Sequence, residues 1–115
     1  MKINLNETGR KGCTAFHLAC SKGHAKIAEM LMKNSSEFNI ELNAKDDGGM
    51  TAFHWACFAG HTSIIKIMIS KSESLNFDLT ARDDNGKTGF QLAQDHGRSK
   101  IINLIKSKMP RSIVF

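Results

Sequence analysis

The chain has 115 residues, 41% of them apolar and 23% charged, the balance of one folded domain with no room for a second. No stretch approaches the roughly 20 apolar residues of a membrane span. The net charge of +5 favours an acidic partner or nucleic acid, but Lys and Arg are scattered through the chain without a block, so charge alone is a weak pointer.

The amino terminus, Met1-Lys2-Ile3-Asn4-Leu5-Asn6-Glu7, carries polar residues from the start and lacks the apolar region of a secretory signal. With only three cysteines and no disulfide framework, an intracellular location, cytoplasmic or nuclear, is expected. Next comes Gly12-Cys13-Thr14-Ala15-Phe16-His17-Leu18-Ala19-Cys20, which returns as Gly49-Met50-Thr51-Ala52-Phe53-His54-Trp55-Ala56-Cys57 and, degraded, as Gly86-Lys87-Thr88-Gly89-Phe90-Gln91-Leu92-Ala93-Gln94. The spacing is 37 residues both times, and Leu5, Leu42 and Leu79, Gly23, Gly60 and Gly97, and Ile27, Ile64 and Ile101 keep the same register. A fixed period of this size predicts a stacked array, whose product is an extended surface and not an enclosed catalytic pocket.

In the second copy the turn-forming run Asn43-Ala44-Lys45-Asp46-Asp47-Gly48-Gly49 leads into a short predicted helix. Phe53, Ala56 and Cys57 have helical spacing, Thr51 is suited to cap the first turn, and Gly60 is suited to a left-handed stop. After Gly60-His61 the residues Ile64, Ile65, Ile67, Met68 and Ile69 predict a second, more apolar helix, with Lys66 and Lys71 outside its stripe. Each copy therefore reads turn, short helix, loop, longer helix. In the third copy the outer helix Lys100–Lys108 is more polar, and beyond Pro110 lies the short tail Arg111-Ser112-Ile113-Val114-Phe115.

These residues resemble the ankyrin-repeat family: its Thr-Pro-Leu-His-x-Ala motif stands as Thr14-Ala15-Phe16-His17-Leu18-Ala19 and Thr51-Ala52-Phe53-His54-Trp55-Ala56, followed by Gly23-His24 and Gly60-His61. The match spans about residues 3 to 109. The departures are Ala for the motif's Pro and a period of 37 residues against the usual ~33. The added residues fall in Asn34–Phe38 and Lys71–Leu75 and should lengthen the second helix or its loop. The resemblance implies an all-α solenoid of helix-turn-helix units with projecting turns or short β-hairpins. It places one domain at 1–110, with repeats at about 3–39, 40–76 and 77–110, and a tail at 111–115. It also implies that His17 and His54 are structural, tying neighbouring repeats together, and that the third copy is a C-terminal cap. The first copy lacks capping residues: Met30, Leu31 and Met32 are as apolar as in an internal repeat. Either further repeats precede Met1 or something else covers that face.

Several motifs tempt a chemical reading. His17, Cys20 and His24, repeated as His54, Cys57 and His61, have a spacing compatible with metal ligation. The structural reading is preferred, because Gly23 and Gly60 should end the helix before the second His, and the Cys replaces a small buried Ala of the family motif. Packing likewise disfavours Cys20 and Cys57 as nucleophiles. No phosphate-binding loop is present, since Asp47-Gly48-Gly49 lacks the strand-to-helix context and the Lys-Ser/Thr. No catalytic residue, metal or cofactor is assigned. Asn6-Glu7-Thr8 and Asn34-Ser35-Ser36 are read as chance glycosylation sequons. Asn43 resembles the turn asparagine that hydroxylases modify in some ankyrin proteins, with a turn-stabilising role preferred.

By the same resemblance a partner would lie along the concave face, on the turn tips and the exposed side of each first helix. Those positions are Thr8, Arg10, Lys11, Cys13, Ser21 and Lys22, then Lys45, Asp47, Gly48, Met50, Phe58 and Ala59, then Arg82, Asp84, Asn85, Lys87, Asp95 and His96. Phe58 stands out as an aromatic where the other copies have Ser21 and Asp95, the usual form of a binding anchor. The competing reading is that it shields Met50 or Trp55. Trp55, aligned with Leu18 and Leu92, is expected in the core. The leading reading is a non-catalytic module that binds a protein or peptide. The second is a nucleic-acid or acidic-surface binder using Arg10, Lys11, Lys22 and Lys26, against which counts the lack of interleaved aromatics. The third is a truncated or engineered piece of a longer array. A monomer is expected, with a dimer through the uncapped first repeat as the variant of the third reading.

Overall fold

The computed structural model of the chain describes residues 4–109, so the expected tail at 111–115 lies outside the described residues. Among the described residues there are six α-helices and no strand. They form three hairpins: α1 (Ala15–Lys22) with α2 (Ala25–Lys33), α3 (Ala52–Ala59) with α4 (Thr62–Ser70), and α5 (Gly89–Asp95) with α6 (Ser99–Lys108). The short helices α1, α3 and α5 stack side by side as one layer, and α2, α4 and α6 back them as a second, in an elongated body of 44 × 27 × 23 Å. The projecting segments are turns and not β-hairpins.

Each short helix begins with the same device. Thr14 Oγ1 accepts from the His17 N–H at 3.2 Å, while His17 Nδ1 accepts from the Thr14 N–H at 3.1 Å. Thr51 with His54 and Thr88 with Gln91 repeat it, so two orphan donors are satisfied at each helix start. Because Nδ1 is an acceptor, the ring proton sits on Nε2, which donates across the repeat boundary: His17 to the Met50 carbonyl and His54 to the Lys87 carbonyl, both at 2.9 Å. Gln91, in the last copy, reproduces the cap through Oε1 at 2.9 Å.

Stacking is reinforced at the other end of the short helices. Gly23 closes α1 with φ of 76°, and a Cβ there would lie 2.7 Å from the His61 ring, whose Nε2 meets the Ser21 carbonyl at 2.9 Å. Arg98 Nε donates to the Phe58 carbonyl at 3.0 Å in the next junction. The added residues of the long period form loop, not helix: α2 stops at Lys33, and the backbone winds on to a left-handed Asn39, with Ile40 N–H donating to the Ser35 carbonyl at 2.8 Å. Asn76 repeats this after α4. Asparagine tolerates that conformation better than most residues. Asn6 then spans the loop, its Nδ2 donating to the Asn39 carbonyl and its Oδ1 accepting from the Glu41 N–H. Asn43 does the same with Asn76 and Asp78.

Burial at equivalent positions shows which faces are closed. Ile64 and Ile101 are 0% and 1% exposed, whereas Ile27, in the same register, is 47% exposed because no unit among the described residues packs ahead of it. At the opposite end Gln94 and Lys106 are exposed where Cys20 and Met32 are fully buried. The polar substitutions of copy three thus cover a face with no neighbour among the described residues. Gly89, where the earlier copies have Ala, is a close approach: an added Cβ would stand 2.7 Å from the Phe53 ring.

Two outcomes follow from this packing. Ile64→Glu places an unpaired carboxylate in the stack and should cost more than about 3 kcal/mol, whereas Ile27→Glu should cost less than about 1 kcal/mol; urea unfolding of both variants checks the contrast. Burial also lowers the pKa of His54 below its usual 6.5. Above that value the ring is neutral in both states. Below it, the unfolded chain takes up a proton that the folded chain resists, so stability falls as pH drops from 6.5 through the lower folded pKa. Thermal unfolding at pH 7.5 and 5.0 should show this loss, and His54→Gln should shrink it, while losing about 1 kcal/mol at pH 7.5 with the bond to Lys87.

Candidate binding surface

The tips of the turns are built by one carboxylate per copy. Asp46 Oδ1 accepts from the Gly48 N–H at 3.0 Å and the Met50 N–H at 2.9 Å, and Asp83 Oδ1 does so from Asn85 and Lys87, both at 2.9 Å. Adjacent tips are joined by backbone bonds, Asp47 N–H to the Lys11 carbonyl at 2.9 Å and Asp84 N–H to the Gly48 carbonyl at 3.0 Å. Copy one has Gly9 in place of the aspartate. Its tip is instead a 3-10 turn at Arg10–Gly12 with Lys11 at φ 58°, in the left-handed region.

None of the predicted concave-face residues is buried, and the structure gathers them into distinct groups. Arg10, Lys11, Cys13, Ser21 and Lys22 line a depression between copies one and two, together with His17, Leu18 and Trp55. Phe58, 38% exposed, lies edge-on to Trp55 with ring centres 5.8 Å apart, and 4.4 Å from the ring of His96. It therefore bridges copies two and three. Lys87 pairs with Asp95 at 2.8 Å. Lys45 Nζ donates to the Arg82 carbonyl at 3.0 Å and Arg82 Nη1 to the Gly86 carbonyl at 2.8 Å, so both cations serve the turns. Asp47, Asp84 and Asn85 are exposed on the tips, and Met50 and Ala59 are half-buried beside them.

Trp55 is a correction. Of the three aligned positions only Leu92 is buried; Leu18 is 46% exposed and Trp55 is half-buried, facing the depression. An indole N–H needs an acceptor, and here it finds Asp46 Oδ2 at 2.8 Å, which holds the ring at the wall of the depression. Leu18 and Trp55 are thus surface residues that the sequence reading left out. The available signal was a tryptophan at a register position otherwise occupied by leucine.

The chemistry-bearing side chains are occupied structurally. Both ring nitrogens of His17 and His54 are hydrogen-bonded. His24 and His61 sit at the start of the second helix, beyond the glycine that ends the first. Burial pushes the Cys20 thiol up to about 12 and raises that of Cys57 further. Cys13 is half-exposed, its thiol raised by burial and by Asp46, 3.9 Å from Sγ. Among the described residues no three His, Cys, Asp or Glu side chains come together as metal ligands, and no helix is long and apolar enough to cross a membrane.

Comparison with known proteins agrees with this geometry. Residues 38–112 match the family model for ankyrin repeats in three copies, and residues 11–47 match the single ankyrin repeat. The serine/threonine-protein kinase TNNI3K of Mus musculus and that of Rattus norvegicus are each 37% identical to this chain over 38 residues, 33% of this chain and 5% of theirs. The chain thus spans about one twentieth of these curated relatives, and the shared segment is the length of one repeat.

Thiol titration with Ellman's reagent tests the burial pattern. Cys13 should react in the native state, more slowly than a free thiol at neutral pH, and Cys20 and Cys57 only on unfolding. By its repeats, its capped helical hairpins and the family match over most of its length, the chain belongs to the ankyrin-repeat family, whose members are generally protein–protein interaction modules.

Proposed function

We propose that this chain is a non-catalytic interaction module that binds a protein or peptide on its concave face. The observation that carries the reading is Phe58: an aromatic ring left 38% exposed at the middle of that face, yet held from both sides by Trp55 and His96. A large apolar side chain fixed before binding loses little rotamer entropy on contact, the property of an interface anchor. No kinase activity is carried over from the curated relatives, because the similarity is confined to 38 residues of repeat.

The test is affinity capture from lysate at low and moderate salt, comparing the chain with Phe58→Glu. A discrete protein should be retained at moderate salt, and its affinity for the variant should fall at least about tenfold while the melting temperature changes little. Recovery of nucleic acid that is lost as salt rises would replace this reading with the nucleic-acid one.

A further inference from the structure

The cations of the concave face fall into two sets. In copies two and three Lys45, Arg82 and Lys87 are each committed to a backbone carbonyl or to Asp95. In copy one the side chains of Arg10, Lys11 and Lys22 make no hydrogen bond or ion pair among the described residues, where the ion pair is Lys87 with Asp95. All three line the same depression with Cys13, His17 and Ser21, and its large apolar surface comes from Leu18, 46% exposed, and the half-buried Trp55.

Two carboxylates stand beside this depression, Asp46 near Cys13 and Asp47 against Gly12, and neither is ion-paired with the three cations. Asp46 spends Oδ1 on two backbone N–H groups of its own turn and Oδ2 on the Trp55 indole. The rim is also held in a disfavoured shape. Lys11 is the one residue other than Gly or Asn with a left-handed backbone among those described, fastened there by the bond from the Asp47 N–H to its carbonyl. Retaining a lysine in that conformation points to a use for its side chain.

We infer that this depression takes an acidic segment of a partner protein, with a large apolar side chain seated on Leu18 and Trp55 and flanking carboxylates turned toward Arg10, Lys11 and Lys22. The inference rests on the concave-face reading and adds the partner's chemistry to it. Uncommitted cations around an apolar floor are complementary to a carboxylate beside an apolar anchor. A nucleic-acid strand fits less well: Trp55 is tied by its N–H to Asp46, so its ring is not free to follow a stacked base.

The experiment is selection of random displayed peptides on the full chain, followed by titration of the enriched peptides against Lys22→Glu, Arg10→Glu, Phe58→Glu and Lys26→Glu. Lys26 is exposed on α2 and does not line the depression. Enriched peptides should carry Asp or Glu next to Leu, Ile, Phe or Trp. Their affinity should fall about tenfold or more with Lys22→Glu or Arg10→Glu and less than about twofold with Lys26→Glu. Peptides without carboxylates, or affinity indifferent to Lys22→Glu, overturn the inference, as does a selection that enriches nothing. If such peptides still lose binding with Phe58→Glu, the concave-face module stands and only its acidic partner falls; indifference to every substitution removes both. A single-stranded oligonucleotide that displaces the peptides and shows the same dependence on Lys22 overturns the inference in favour of nucleic acid.

Discussion

A neutral histidine joins each of the first two short helices to the turn of the following copy, and the candidate binding surface takes its form from that junction. One ring nitrogen accepts from the backbone at the helix start, and the other donates to the carbonyl of Met50 or Lys87 in the next unit. A buried imidazole with both nitrogens satisfied carries no desolvation penalty for unpaired groups, so this polar core is compatible with tight stacking. The residues that supply the carbonyls, Met50 and Lys87, are themselves positions expected on the partner-binding face. The bond that registers one repeat on the next therefore also sets where the side chains of Met50 and Lys87 emerge.

One bond would leave the repeats free to rotate about it. Further ties lie elsewhere on the junction: the backbone bond between adjacent turn tips, the asparagine clamp from Asn6 or Asn43 to the following loop, and the contact of His61 or Arg98 with the carboxyl end of the preceding short helix. Together they fix the mutual orientation of adjacent hairpins at several separated points. The last copy makes no onward tie among the described residues, and Gln91, which supplies the capping acceptor, stands where the other copies have histidine. The departures of copy three from the motif thus follow from having no repeat after it among the described residues.

The period and the capping residues made the hairpins legible in the sequence, because Thr, His and Gly at fixed offsets act through local backbone geometry. The roles of His17 and His54 were legible only through the family resemblance, and the structure bears them out. What depends on distance between copies was not legible. Asn6 read as a chance sequon and Asn43 as a turn residue, although each spans a loop around thirty-three residues further on. Lys45 and Arg82 look like Arg10 and Lys22 in a sequence, and only the positions of carbonyl oxygens separate committed cations from uncommitted ones. Trp55 was misassigned because register predicts the direction of a side chain but not whether its polar edge will find an acceptor at the surface.

Repeats on a common scaffold place their individuality in the few positions where registered residues differ. The difference between Gly9 and its counterparts Asp46 and Asp83 has the widest effect. Aspartate at this position closes its turn by accepting two backbone N–H groups, and in copy two its second oxygen also draws Trp55 to the surface. With glycine there, copy one must close its tip through a 3-10 turn that pushes Lys11 into the left-handed region. The same replacement removes the carboxylate that would otherwise sit beside Arg10 and Lys11. A single missing side chain thereby changes both the shape and the charge of one end of the concave face, while the helices behind it keep the stacking they share with the other copies.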